Sequence, residues 1–513
     1  MSFVKSPKRT DTLPPEEAVS RDSSVPLLYF LLVSLGAANR SLNAIAANYW
    51  QVVHPERIVI VTCSAVALAC FTLWALVRWG VRRHVALFAV LVGSVLIVGG
   101  GPMVRRIGLP LGWVAIFAVV ILAVLIARLF SETIIQGAAV VLVVALISGA
   151  LLSGYETWAS MGSDNTIDSE ALEVELVERP DIYVVVLDAY AGSHALEDVF
   201  DTTKDDLIGD LEGLGLQLPG SAWSPYASTE MAIPSVLDMS YPAIPAELTN
   251  AGRATLHRTI AGENRTLELV RANGYRTIMI ESGWVGSSCG SWFDECLTSH
   301  WLDEVMFQLA SDSLAYGLVL GRFGHAFTAN SIHTVEAIEE VATRTDGGEP
   351  RLVFAHVLVP HPPFFLDEDC AIAVDDVRVN RSFGQDPADH IWDSLYLEQT
   401  RCVDRWLQEL LGSVAPEDVV IFLGDHGIGR QPSPTEGERP PLDVIVEHQN
   451  VFLAVRTPGD CTLTDPIVTS DLMRQVFSCL GDEPLPPVDQ RMFVWGGYEM
   501  TSAEVETLIR SFP

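Results

Sequence analysis

The sequence predicts an α/β fold, a mostly parallel sheet covered by helices, preceded by an N-terminal domain of several membrane-spanning helices. Three observations point there. Long apolar stretches fill the first third of the 513 residues and then stop. Beyond them, short near-continuous apolar runs alternate with longer helical patterns, as buried parallel strands and their covering helices do. Charge divides at the same place: residues 1–156 hold 12 Lys and Arg against 7 Asp and Glu, so a total of −33 leaves about −38 for residues 157–513.

The N-terminal third is read first. Apolar stretches at 58–77, 85–104, 111–127 and 134–152 each approach the roughly 20 residues that cross a bilayer. A fifth, 25–46, is interrupted by Asn39 and Arg40, costly at the bilayer centre unless they face other helices or sit near an end; a segment lying on the membrane surface is its alternative. Lys5, Lys8, Arg9 and Arg21 precede the first span, and Arg78, Arg82 and Arg83 lie between the second and third. The positive-inside rule then gives a cytoplasmic tail (1–24), about five helices within 25–156, and everything beyond on the outer side, at the cost of leaving Arg105 and Arg106 there. No cleavable signal peptide is expected, because the apolar segment starts late and runs into further spans.

Cysteines give an independent check on the side of the membrane. Cys63 and Cys70 fall inside the second span, whereas Cys289, Cys296, Cys370, Cys402, Cys461 and Cys479 lie in the soluble part. An even number suits an oxidising compartment. Connectivity is not fixed by sequence, and nearest-neighbour pairing is the simplest expectation. The competing zinc cluster lacks Cys-x-x-Cys or matching His spacing.

Residues 157–180 are polar and acidic, a linker or stalk, and residues 181–513 form the outer domain. Its expected strands are the apolar runs at 182–187, 276–280, 351–359 and 419–425, with covering helices at 265–273 and 394–411. The acidic surface excludes a nucleic-acid binder, since Lys occurs only at positions 5, 8 and 204 and phosphate backbones are held by Lys and Arg.

Ligands of an open α/β sheet gather where strands end. VVVLDAY ends in Asp188, VIFLGDHG in Asp425 and His426, and VFAHVLVPHPPF carries His356 and His361. Singly, an Asp after a strand is a helix cap or loop residue; together, carboxylates and imidazoles from separate strand ends are what a divalent metal requires. His356, inside the strand run, reads equally as a satisfied core histidine. GDHG after a buried strand, with Asp188 after the first strand, resembles the metal-binding pattern of the alkaline phosphatase and sulfatase superfamily over about residues 180–480. Between them, SPYASTEMAIPSVLDMSYP (224–242) resembles the nucleophile segment of membrane phosphoethanolamine transferases and of lipoteichoic acid synthases, which also carry five spans.

The resemblance implies an alkaline phosphatase-like fold and a membrane-anchored, metal-dependent phospho-group transferase or phosphoester hydrolase acting on an envelope lipid or glycan. Thr229 would be the catalytic nucleophile, with Ser228 the alternative, and Thr229 as a mere helix cap the plain reading. Asp188, Thr229, Asp425 and His426 would hold one divalent ion, Mn or Zn, with Mg or Ca as alternatives. His361, in PHPPF, resembles the substrate-phosphate contact of the synthases. The expected partners are the bilayer and an anionic lipid- or glycan-linked phospho-substrate. Two features depart from the family. No Cys/Ser-x-Pro-x-Arg motif occurs, and Asp188 stands where the phosphoethanolamine transferases have Glu. A sulfuric ester hydrolase with an unmodified nucleophile and a catalytically silent envelope-binding relative remain the alternatives.

Overall fold

A computed structural model of the protein describes residues 55–80, isolated positions between 85 and 148, and 174–512 apart from 243–247, 249, 299–315, 345–347, 376–377, 379–389, 431–438, 460 and 495–497. Helix α1 (Pro55–Arg78) covers the expected span 58–77. The expected span 25–46 lies outside the described residues, as do 85–104, 111–127 and 134–152 but for isolated positions. Among the described residues no helix is long and apolar enough to cross a membrane, although α1 turns Ile60, Leu68, Phe71 and Trp74 outward. The end of the expected linker packs on the α/β domain: Leu176 is buried, and its N–H donates to Asn273 Oδ1 at 2.8 Å.

The domain then runs β1 (Ile182–Leu187), α2 (Ser193–Phe200), α3 (Asp205–Gly213), β2 (Ala222–Trp223), α4 (Thr229–Leu237), α5 (Asn250–Ile260), α6 (Arg265–Ala272), β3 (Arg276–Glu281) and β4 (Glu295–Thr298). There follow α7 (Tyr316–Thr343), β5 (Arg351–Val357), α8 (His390–Ser413), β6 (Val419–Gly424), α9 (Leu442–Gln449), β7 (Asn450–Val451) and β8 (Leu453–Arg456). The last elements are β9 (Ile467–Val468), α10 (Leu472–Leu480), β10 (Met492–Val494), β11 (Tyr498–Met500) and α11 (Ser502–Arg510). The main sheet has the order β4-β3-β5-β1-β6-β8, parallel except for β8 against β6. The four expected apolar runs are β1, β3, β5 and β6, the inner strands.

Side chains alternate across a strand, and here each face feeds its own core. Val184, Val186, Phe354 and Ile421 pack with Ile233 and Val236 of α4, Leu267 and Val270 of α6 and Phe477 of α10. Tyr183, Val185, Val353 and Phe422 pack with Ile338 of α7 and Val403 and Leu407 of α8. Burying each such side chain contributes about 1.5–3 kcal/mol, which explains why these strands read as continuous apolar runs. The disulfides are Cys289–Cys296, Cys370–Cys402 and Cys461–Cys479, the nearest-neighbour pairing, with α-carbons 6.0, 5.0 and 5.7 Å apart. The side chain of Lys204 is buried beside α8, its Nζ 2.5 Å from Asp404 and 4.0 Å from the centre of the Tyr190 ring.

β1 lies between β5 and β6 and pairs Val186 with His356 and Leu187 with both Val357 and Gly424. Neighbouring strands lie about 4.8 Å apart, so the residues just past those pairs, Asp188 and Asp425, emerge side by side.

Candidate active site

Asp188 and Asp425 are both buried, and Oδ1 of Asp188 and Oδ2 of Asp425 accept no hydrogen bond among the described residues. The other oxygen of Asp425 is occupied, taking the N–H of Ala189 at 3.0 Å and of His426 at 2.8 Å. Ala189 sits at φ 58°, a left-handed conformation unusual for a residue with a Cβ; that turn carries its N–H toward Asp425. The glycines of GDHG answer to close backbone approach: a Cβ on Gly424 would come 2.2 Å from the Tyr190 carbonyl, and one on Gly427 2.0 Å from that of Glu447.

The His426 ring is set by its own backbone. Nδ1 donates to the Gly427 carbonyl at 2.8 Å, which turns Nε2 inward, 3.4 Å from Asp188 Oδ1, 3.7 Å from Asp425 Oδ2 and 3.2 Å from Thr229 Oγ1. Burial lowers the imidazole's proton affinity, but Asp425 and Asp188 outweigh it and hold the pKa up, at about 9. For Asp188, burial raises the pKa, and the nearby His361, His426 and His356 outweigh that and bring it down to about 2.

Thr229 opens α4, but the N-cap position belongs to Ser228, in extended conformation with no side-chain cap bond. Thr229 is therefore the first helical residue, and its hydroxyl meets His426 instead of capping the helix. Ser228 Oγ is buried and has no hydrogen bond among the described residues. His361 is exposed, its ring 6.2 Å from that of His426 and perpendicular to it.

His356 is no satisfied core histidine. It is fully buried, neither ring nitrogen has a hydrogen bond among the described residues, and Nε2 lies 3.7 Å from Asp188 Oδ2. Through the β1–β5 register it shares a sheet face with Asp188, and Asp188, His356 and Asp425 offer ligand atoms within 4.8 Å of one another. Burial pushes its pKa down, favouring the neutral ring that a metal ion takes as ligand. Sequence reasoning left this residue open because its partner comes from a neighbouring strand, and only register brings the two together.

No family model and no curated protein matches the chain. Among solved structures it is similar to the C-terminal periplasmic domain of EptC from Escherichia coli in complex with Zn, at 11% identity over 65% of this chain and 97% of that one, with a TM-score of 0.44. The chain is similar to alkaline phosphatase superfamily structures. A member of that superfamily from Vibrio parahaemolyticus shares 12% identity over 67% and 81% of the two chains, with a TM-score of 0.40. The integral membrane lipooligosaccharide phosphoethanolamine transferase A from Neisseria meningitidis shares 11% over 84% and 88%, with a TM-score of 0.35.

Proposed function

We propose that the chain is a membrane-anchored, metal-dependent phospho-group transferase or phosphoester hydrolase that works through Thr229 on an anionic envelope lipid or glycan. The supporting observation is the meeting of a helix-opening hydroxyl with a buried imidazole and two carboxylates whose free oxygens accept no hydrogen bond. Buried polar atoms left unpaired cost about 1–3 kcal/mol each, and four of them, two carboxylate oxygens and both His356 nitrogens, share this spot. Oxygen and imidazole donors of this kind fit a divalent cation, which Asp188, Asp425, His426 and Thr229 would hold, with His356 as a further candidate ligand. Such an ion, when bound, supplies Lewis acidity and lowers the pKa of a hydroxyl.

The residues divide the remaining work. The N-terminus of α4 places partial positive charge at Thr229, favouring anionic groups there. In the first half-reaction His361 binds the phospho group, and the bond from Thr229 Oγ1 to phosphorus forms as the bond from phosphorus to the leaving oxygen breaks; the hydroxyl proton passes to water, and the leaving oxygen takes a proton from water. In the second, an acceptor hydroxyl or water attacks phosphorus, its proton passes to water, and Thr229 departs and recovers a proton from water. The apolar N-terminal stretches and the outward Leu68, Phe71 and Trp74 of α1 support an anchor in the bilayer, and the three disulfides support an oxidising compartment on its outer side.

Mass spectrometry of the protein incubated with membrane lipids tests this reading. An adduct is expected on the Thr229 peptide and none in Thr229→Ala, which should also lose turnover of a phosphodiester assayed beside a sulfate ester. Full turnover in Thr229→Ala on both esters would overturn the covalent mechanism and turn attention to Ser228.

A further inference from the structure

The segment that carries His361 is poor in its own anchors. Pro360, Pro362 and Pro363 have no N–H, so the only backbone donor from 360 to 363 is His361 itself, which donates to the Asp188 carbonyl at 3.0 Å. The carbonyls therefore need donors from elsewhere. Pro362 takes the His361 ring Nδ1 at 2.6 Å, and Pro363 takes the N–H of Phe365 at 3.0 Å. The other two, Pro360 and His361, both accept from Nε2 of Gln399, each at 3.1 Å, while Oε1 of the same amide accepts the N–H of Leu366 at 3.1 Å. Gln399 is fully buried on α8, with its whole amide engaged by this one loop.

One turn earlier on the same helix, Tyr396 grips the other loop of the site. Its hydroxyl donates to the Ala189 carbonyl at 2.9 Å and accepts the N–H of Ala191 at 3.2 Å, so it bridges Tyr190 and holds Ala189, whose own N–H reaches Asp425. Positions three apart share a helix face. We infer that Gln399 is a positioning residue that aims His361 at the substrate, and that α8, through Gln399 and Tyr396, sets the reach from the paired carboxylates to His361. The inference rests on the substrate-binding role proposed above for His361. No other side chain hydrogen-bonds the Pro360 and His361 carbonyls among the described residues, so removing this amide frees the loop without touching the carboxylates.

The test is steady-state kinetics of the full chain in detergent, with bis-nitrophenyl phosphate as substrate and Mn²⁺ added, alongside the shift in thermal midpoint that Mn²⁺ produces. Gln399→Leu is expected to raise KM about 10-fold with kcat changed by less than about threefold, and to leave the Mn²⁺-induced shift as in the parent. Tyr396→Phe is expected to do the converse, reducing the Mn²⁺-induced shift. In a His361→Ala background, Gln399→Leu should add less than about a twofold change, because its effect passes through the missing ring. Gln399→Glu keeps the acceptor for Leu366 and removes both donors, and is read in the same way should the leucine variant not accumulate. A Gln399 variant that lowers kcat and the Mn²⁺ response together, or keeps its full effect without His361, overturns the inference. If His361→Ala raises KM and Gln399→Glu does not, the inference alone falls; if His361→Ala leaves KM unchanged, the role of His361 falls and the inference with it.

Discussion

His356 is held at the sheet end with two nitrogens that have no partner among the described residues, an arrangement that costs stability unless something binds there. Replacing a buried unpaired polar group by an apolar one of similar size is neutral or stabilising. His356→Leu should therefore melt at the same temperature as the parent or above it in chelator, yet lose much of the parent's gain when Mn²⁺ or Zn²⁺ is added. Differential scanning fluorimetry with and without metal separates the two effects; a variant destabilised equally in both conditions would mean that the imidazole serves packing alone. At this scale the sequence was informative wherever a group and its neighbour are adjacent in the chain. Asp425 and His426 could be singled out from GDHG, and Thr229 from the apolar run that follows it. The contact of His356 with Asp188 depends on which residue of β5 lies opposite Val186, and a pattern within one strand does not contain that.

Among the elements, β1, β3, β5 and β6 were legible because inner parallel strands are apolar throughout, and the expected helices 265–273 and 394–411 match α6 and α8 to within a few residues. The two-residue strands β2, β7 and β9 were not, since they exist only through pairing with one another. The entry to β6 makes a prediction of its own. Asp418 lies just before it, and its Oδ1 accepts the N–H of Asp181 at 3.1 Å. Burial, then the Asp181 and Glu417 carboxylates, push its pKa up to about 6. A carboxyl raised in the fold stabilises it fully below the unfolded pKa of about 3.9, and that contribution is lost as pH rises through about 6. Asp418→Asn keeps the acceptor and removes the charge, so its thermal midpoint relative to the parent should climb between pH 4 and 7. Discounted for solvent on its open side, the gain at neutral pH is about 1 kcal/mol, or roughly 2 °C. A difference independent of pH would show that the charge is not what strains this corner.

Taken whole, the molecule divides its cysteines as it divides its charge. Alkylation in denaturant before reduction should mark Cys63 and Cys70 alone, and after reduction all eight cysteines, counted by intact mass. More than two labels without reduction would argue against an oxidising outer compartment. The burial of Lys204 against Asp404 carries a further consequence. The chain has lysines at 5, 8 and 204 only, and the side chain of the last is 8% exposed, so the α/β domain offers amine chemistry almost nothing to react with. If the tail is cytoplasmic, a succinimidyl ester that cannot enter cells should leave this protein unmarked on the intact cell surface and mark it at Lys5, Lys8 and the N-terminus in inverted vesicles. The buried lysine thus makes the protein a reporter of its own orientation, read from which face of the membrane the acyl label must approach.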